Sequence, residues 1–206
     1  IGKENDMFVA EACEYTNSFL DFCPSIAVVT NIELDHTDFF KDIDDIRNSF
    51  KRFIELLPDD GTLVINDRID NIEELTKDMK IKVITYGIKD TSNFYYKNIR
   101  YDESGYQIYD VYNDGKLLGT VRQKLIGEHN VLNFLAALAT LNECNISFEN
   151  AKKSIEHFKG AHRRLEVKGI KNGVTYIDDY AHHPTEIEAS LKAIKKLKYN
   201  HLYLIF

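Results

Sequence analysis

The first candidate site is a group of acidic and imidazole side chains that follows the apolar segment 25–31. Glu33, Asp35 and His36 come directly after this segment, and Glu11 follows an earlier apolar run. In open α/β sheets, ligands bind beyond the carboxyl ends of the strands. Glu11 and His36 at adjacent strand ends would share a cation such as Mg²⁺, which takes one or two carboxylates and completes its shell with water and phosphate oxygens. The alternative is that these polar residues only cap the next helix.

A second group lies at the start of a predicted helix, in the run GEHNVLN at 127–133. Asparagine is a good helix-capping residue, so capping alone explains Asn130. The functional alternative is that the side-chain amides contact the edge of a purine while the helix N-terminus lies near phosphate. The spacing by itself favours capping.

A third group combines the run HRR at 162–164 with DDYAHHP at 178–184. Two adjacent histidines on a strand-to-helix turn are seldom required by packing, because imidazole usually stays partly hydrated. The arginines are suited to oxygen anions through their bidentate geometry. Zinc is a further possibility, although neighbouring histidines point in different directions and no cysteine lies nearby. These residues alone leave a functional and a structural role open.

The elements around these groups predict an α/β fold. Uninterrupted apolar runs at 7–10 and 25–31 are typical of strands covered on both faces, as in parallel α/β sheets. Apolar side chains at steps of three and four from Ile43 to Leu57 predict a helix that Asp42 caps. Strands are also predicted at 62–65 and 81–86, with a helix at 72–79.

The pattern changes after Asp90. Short runs rich in Tyr, Val and Ile over 93–124 predict a small antiparallel sheet with a tight hairpin at Asp114-Gly115. A buried helix is predicted at 130–141, followed by a shorter helix that Ser147 caps. Later elements are predicted as strands at 166–169, 173–177 and 201–206 and a helix from Pro184 to about 197, the start of a second βαβ unit.

Composition excludes several classes of protein. The 206 residues carry 26 Lys and Arg against 33 Asp and Glu, a net charge of −7, which argues against a protein that mainly binds DNA or RNA. With 44% hydrophobic residues the chain is too apolar for disorder, yet no run approaches the roughly 18 residues of a membrane span. Three cysteines without C-x-x-C spacing argue against a disulfide framework and a zinc site, and predict a reducing, cytoplasmic compartment.

Taken together, five blocks resemble the ATP-dependent Mur ligases of bacterial cell-wall synthesis. Their order and separations match that family, and the run DDYAHHPTE favours members that act on the muramate carboxylate. Cys13 and Tyr15 depart from the family pattern, which has Asp and Ser there in many relatives, but neither is assigned a role. The blocks are VAEACEYTNSFL (9–20), VVTNIELDHTDFF (28–40), GEHNVLNFLAALA (127–139), FKGAHRRLE (158–166) and YIDDYAHHPTEI (176–187).

The resemblance implies an enzyme of three domains: a UDP-binding domain, a central ATPase domain and a C-terminal Rossmann-like domain. Residues 1–159 would be the later part of the central ATP-binding domain, and 160–206 the start of the C-terminal ligase domain. Both ends of the chain resemble interior segments, which predicts a fragment of a longer polypeptide. The phosphate-loop motif G-x-x-x-x-G-K-[ST] is absent from the 206 residues, so we expect the chain alone to be inactive.

The resemblance also implies ATP and Mg²⁺ as cofactors and assigns residues to them. By motif position, Glu11 and His36 resemble the Mg²⁺ ligands, and His129, Asn130 and Asn133 resemble adenine contacts. Arg164 and Asp179 resemble the pair that reaches the phosphates and ribose of ATP, and Tyr180 and His182 resemble residues that place the incoming amino acid.

The implied reaction joins L-alanine to the carboxylate of UDP-N-acetylmuramate through an acyl phosphate, with Arg164, Tyr180 and His182 as catalytic residues. We hypothesise that His182 is the base, because imidazole titrates near neutrality. Neither nucleic acid nor membrane is expected as a partner.

Other activities stay open at this point. A sister ligase attaches recycled murein tripeptide to the same acceptor. Two different classes also remain: a metal-dependent hydrolase built on Glu11, Asp35, His36 and the histidines at 182–183, and a non-catalytic nucleotide-binding module.

Overall fold

A computed structural model describes residues 7–206, which fall into two compact units, one up to Val83 and one from Ile84. The domain boundary at 159/160 is a different division of the chain and stays a prediction. Among the described residues, no helix has the length and apolar character needed to cross a membrane.

The first unit is built on two parallel strands with a helix between them in the chain. Strand β1 (Ile26–Val29) pairs with β2 (Thr62–Asn66), and helix α1 (Ile43–Ile54) connects them. Every residue of β2 is buried, as expected of a parallel strand covered on both faces. The Asp42 carboxylate caps α1 by accepting a hydrogen bond from the Asp45 N–H at 2.9 Å. These predicted strands and this helix are confirmed.

Two predicted elements of this unit are wrong. The run 7–10 forms no strand and pairs with no strand of the described residues. Its side chains are exposed, with Val9 at 90%. The helix predicted over 72–79 is a single turn, α2 (Ile72–Leu75). A 3₁₀ segment at Tyr15–Asp21, which periodicity does not predict, carries Phe19 into the core.

The second unit contains an antiparallel sheet. Strand β3 (Lys82–Gly87), which begins just before this unit, pairs in parallel with β4 (Phe94–Tyr101). Strands β5 (Gln107–Asn113) and β6 (Lys116–Gln123) continue from β4 in antiparallel order. Asp114 and Gly115 connect β5 to β6, with φ of 45° and 80°. Positive φ at both positions is typical of a tight two-residue hairpin, as predicted.

Two helices follow the antiparallel sheet. Helix α3 (Glu128–Glu143) is mostly buried, and its Phe134 contacts Tyr109 of β5 with ring centroids 6.4 Å apart. Helix α4 (Phe148–His157) begins after Ser147, whose side chain accepts a hydrogen bond from the Asn150 N–H. Both predicted helices are confirmed.

The last elements are a two-stranded sheet and a helix. Strands β7 (Glu166–Lys171) and β8 (Val174–Asp178) pair in antiparallel fashion, and helix α5 begins at Pro184 and ends at Ile194. Proline is suited to the first helical position because its missing N–H would have no partner there. The strand predicted at 201–206 is wrong: this run is irregular and exposed, with Ile205 at 96%.

Candidate functional site

In the first unit, the imidazole of His36 contacts an acidic side chain and an aromatic side chain. Its Nε2 is 3.4 Å from a carboxylate oxygen of Glu14, and the Tyr15 ring lies 4.5 Å from the imidazole centroid. The Tyr15 hydroxyl donates to Asp38 at 2.7 Å, and this hydrogen bond raises the pKa of Tyr15. The carboxylate of Asp35 accepts from the His36 N–H. The group follows β1, as the sequence predicts.

The carboxylate beside His36 is that of Glu14, whereas Glu11 lies exposed in the irregular segment that precedes it. Residues 7–206 contain no group of three or more His, Cys, Asp or Glu side chains placed to hold a metal ion. One carboxylate and one imidazole suit a cation whose other ligands are water and phosphate oxygens. Glu11 and His36 as Mg²⁺ ligands therefore stay a prediction, and Glu14 joins them as a candidate.

In the second unit, the residues predicted to contact a base lie where β6 connects to α3. We call residues 125–130 the α3 turn. The side-chain amide nitrogen of Asn130 donates to the Ile126 carbonyl at 2.8 Å and lies 3.1 Å from His129 Nε2. Both contacts use the nitrogen, so the amide oxygen is the atom left to accept a hydrogen bond from a ligand. Asn133 lies one turn further along α3 and is exposed.

His129 is a neutral imidazole in this arrangement. Burial lowers its pKa, and the positive charge of Arg164 acts in the same direction, whereas Asp179 and Glu128 oppose the shift. The Asn130 amide nitrogen can only donate, so Nε2 of His129 accepts and the ring proton is assigned to Nδ1. The edge formed by His129 and Asn130 therefore has a defined pattern of donors and acceptors.

Two arginines surround the ring of Tyr180; we call Arg163, Arg164 and Tyr180 the arginine–tyrosine cluster. The guanidinium carbons lie 4.7 Å (Arg163) and 5.8 Å (Arg164) from the ring centroid, within the range of cation–π attraction. The Tyr180 N–H also donates to the Arg163 carbonyl at 2.7 Å. The cluster is exposed and positively charged, which suits an oxygen anion.

Asp179 holds the backbone on both sides of this cluster. One carboxylate oxygen accepts from the Leu165 N–H at 3.1 Å and the Ser190 hydroxyl at 2.9 Å, and the other accepts from the Ala181 N–H at 2.7 Å. Nearby, the Glu166 carboxylate accepts a hydrogen bond from the Arg163 N–H. This hydrogen bond and the Lys168 ammonium lower the pKa of Glu166 to about 2. Asp179 thus positions the residues that follow Arg164.

The exposed imidazole of His182 is oriented by its own turn. Its Nδ1 lies 3.0 Å from the Tyr180 carbonyl oxygen, which can only accept, so the proton is assigned to Nδ1 and Nε2 is the ring nitrogen without a hydrogen. The Glu186 carboxylate accepts from the His182 N–H at 3.2 Å and lies 3.6 Å from the Arg164 guanidinium. Glu186 therefore links the backbone of His182 to the side chain of Arg164.

The structure brings most of the residues predicted for the second unit together. Gly127 of the α3 turn approaches Ala193 of α5, and the charges of Asp179 and Arg164 act on the imidazole of His129, so these segments lie near one another in the second unit. Sequence reasoning singled out Arg163 within the run at 162–164 but missed Glu14, Tyr15 and Glu186. Glu186 follows the helix start by the spacing of a capping box, a pattern that is visible in the sequence.

Two models of one protein family match the chain. Residues 2–141 match the model of the Mur ligase middle domain, and residues 163–206 match that of the Mur ligase, glutamate ligase domain. The chain belongs to the Mur ligase family. The α3 turn lies in the region that matches the Mur ligase middle domain, and the arginine–tyrosine cluster lies in the region that matches the glutamate ligase domain.

Individual Mur ligases align with the whole chain. It is 43% identical to UDP-N-acetylmuramate–L-alanine ligase of Clostridium acetobutylicum over 206 residues and 47% identical to that of Lachnospira eligens over 207 residues. All of the chain is aligned in both cases, and it spans 45% of the length of each relative. The fold also matches MurF ligase of Thermotoga maritima in complex with ADP, with a TM-score of 0.70 and 21% identity over 84% of this chain and 39% of that one.

Proposed function

We propose that the chain is part of an ATP-dependent ligase that joins L-alanine to the carboxylate of UDP-N-acetylmuramate in the cytoplasmic stage of peptidoglycan synthesis. The names of the two relatives support this choice of substrates. The observation that carries the proposal is the His129–Asn130 edge of the α3 turn, where Gly127 approaches Ala193 of α5 and the charges of Arg164 and Asp179 act on the imidazole. Such a site offers hydrogen bonds to a base and positive charge to phosphates.

The reaction requires activation because a carboxylate repels nucleophiles. In the proposed sequence, the lactyl carboxylate attacks the γ-phosphorus of ATP, ADP leaves, and an acyl phosphate forms. Arg164 stabilises the negative charge that is spread over the transferring phosphoryl group. The amine of L-alanine then attacks the acyl carbon, and orthophosphate leaves from the tetrahedral intermediate. Amide formation thus consumes one ATP for each bond.

His182 is proposed as the base for this second step. An ammonium group has no lone pair, so the amine must lose a proton before or during attack. With its proton on Nδ1 facing the Tyr180 carbonyl, His182 presents Nε2 as the acceptor for that proton. The exposed Tyr180 ring lies next to this imidazole, with centroids 5.2 Å apart, and is proposed to place the incoming amino acid.

The residues proposed to hold Mg²⁺ are Glu11 and His36, with Glu14 as the carboxylate nearest the imidazole. When bound, the ion would supply positive charge against the phosphate oxygens of ATP. Within the chain itself, Tyr15 and Asp38 keep the His36 side chain in place.

A substrate panel on the full-length protein tests the proposed function. L-alanine, glycine, L-serine and the recycled tripeptide are each supplied with ATP and UDP-N-acetylmuramate, and ADP release is measured together with the ligated product. The proposal expects the highest kcat/KM with L-alanine. Preference for the tripeptide would assign the sister activity, whereas tight transition-metal binding without any nucleotide requirement would favour a hydrolase.

A further inference from the structure

The chain has two glutamines, Gln107 and Gln123, and the side chains of both are completely buried. They are directly opposite each other in the pairing of β5 with β6. Burying an amide is unfavourable unless its donors and acceptors are hydrogen-bonded. What these two amides bind is therefore informative.

Both amide nitrogens donate to the backbone of the α3 turn. Nε2 of Gln107 donates to the carbonyl oxygens of Leu125 at 2.9 Å and Gly127 at 3.1 Å, and Nε2 of Gln123 donates to that of Asn130 at 3.0 Å. Three carbonyls within six residues are thus held by two side chains from the sheet. The α3 turn is fixed by β5 and β6.

A third buried side chain orients Gln123. The Tyr109 hydroxyl donates to Oε1 of Gln123 at 2.6 Å, and Tyr109 is itself completely buried. Because an amide has a donor end and an acceptor end, this hydrogen bond directs the nitrogen of Gln123 to the Asn130 carbonyl. The hydrogen bonds form a chain from the core of the sheet to the first turn of α3.

Within the α3 turn, Asn130 supplies one side-chain hydrogen bond, to the Ile126 carbonyl, and the glutamines supply three more from outside. Gly127 has φ of +99°, and no side chain at this position caps α3. A Cβ on Gly127 would collide with the ring of His129, so the backbone passes very close to the imidazole. A glycine turn of this kind has many accessible conformations, and external hydrogen bonds select one of them.

We propose that Gln107 and Gln123 are positioning residues, oriented in part by Tyr109, that preform the α3 turn for recognition of a purine base. This inference rests on the proposed function, in which His129 and Asn130 contact the base of ATP. The glutamines touch no ligand; they set the backbone from which the His129 ring and the Asn130 amide project. Without them the turn would adopt several conformations, and the base would lose its contacts.

The deciding variant is the double substitution Tyr109→Phe/Gln123→Met in the full-length protein. Replacing both partners of a buried hydrogen bond with apolar groups of similar shape is nearly neutral for stability, yet it removes the donor to Asn130. We expect the dissociation constant of ADP to rise about tenfold, the effect of losing roughly 1.4 kcal/mol of binding. Inhibition by inorganic triphosphate, which has no base, is expected to stay unchanged, as are the KM values for the other two substrates.

Tyr112→Phe is the matched control, since it makes the same chemical change on β5 at a half-buried ring that stacks on Tyr95. Its ADP affinity is expected to equal that of the wild type. If the double variant does not fold, Tyr109→Phe alone, which keeps the Gln123 amide, is expected to weaken ADP binding about threefold and to speed amide exchange in the α3 turn.

The outcomes separate the two proposals. Wild-type protein that fails to bind ADP overturns the proposed function and this inference with it. Wild-type binding with unchanged affinity in the variants overturns the inference alone. An equal loss of ADP and inorganic triphosphate binding would assign the glutamines a general structural role and would also overturn it.

Discussion

His129 is the residue whose charge state matters most for the proposed base site. Its neutral form accepts a hydrogen bond from Asn130, whereas a protonated ring would place two donors against each other. Burial is the main cause of its lowered pKa. Because the pKa is lower in the folded state, the unfolded chain takes up the proton first as the pH falls below 6.5. Stability is therefore fully present above that pH and declines below it.

We predict that ADP affinity falls in the same acidic range, because protonation of His129 removes the acceptor that faces Asn130. The measurement is an NMR titration of the His129 ring, together with ADP binding at a series of pH values. His129→Gln is the control, because glutamine does not titrate and the ADP affinity of this variant should not fall in the acidic range. A ring that titrates at 6.5 or above would contradict the prediction.

His182 gives a second prediction at this scale. His182→Asn in the full-length protein is expected to lower kcat about a hundredfold, the usual contribution of a general base. His183→Asn is the matched control, because His183 is the N-cap of α5 and asparagine is a good cap. Retention of the wild-type rate and pH profile by His182→Asn would exclude the base role.

At the scale of elements, the sequence predicts what is encoded locally. Helix α1 is predictable because its apolar side chains recur every three or four residues, and the β5–β6 hairpin because Asp114-Gly115 accepts positive φ at both positions. The apolar runs at 7–10 and 201–206 look equally convincing as sequences. A strand also needs a neighbouring edge that supplies hydrogen bonds, and composition does not encode that partner.

The same distinction applies to the site-forming elements. The position of His36 is predictable because it follows strand β1. The backbone near Tyr15 is not predictable in this way, because the 3₁₀ segment contains Thr16 and Asn17 at positive φ. This irregular backbone places Glu14 and Tyr15 beside the imidazole, a contact that strand and helix periodicity cannot predict. The burial of Gln107 and Gln123 is likewise not predictable, since a polar residue at a strand end is normally exposed.

At the scale of the whole molecule, the described residues supply one set of side chains that we propose contacts a base and phosphates, and another that includes His36. Family resemblance led to His129, Asn130, Arg164 and Asp179, and the structure of the second unit explains their grouping in physical terms. The sequence contains no phosphate-loop motif, so neither set includes the backbone cradle and lysine that hold β- and γ-phosphates.

We therefore predict that the 206-residue chain, expressed alone, catalyses no ligation. Without groups to hold the terminal phosphates, the γ-phosphorus is not presented to the carboxylate, and positioning accounts for most of the catalysis of phosphoryl transfer. The assay is ATP-dependent formation of the UDP-N-acetylmuramate–L-alanine product, with the full-length protein at equal concentration as the control. ATP-dependent product formed by the isolated chain, above that of a heat-denatured sample, would show that phosphate binding resides in residues assigned here to other roles.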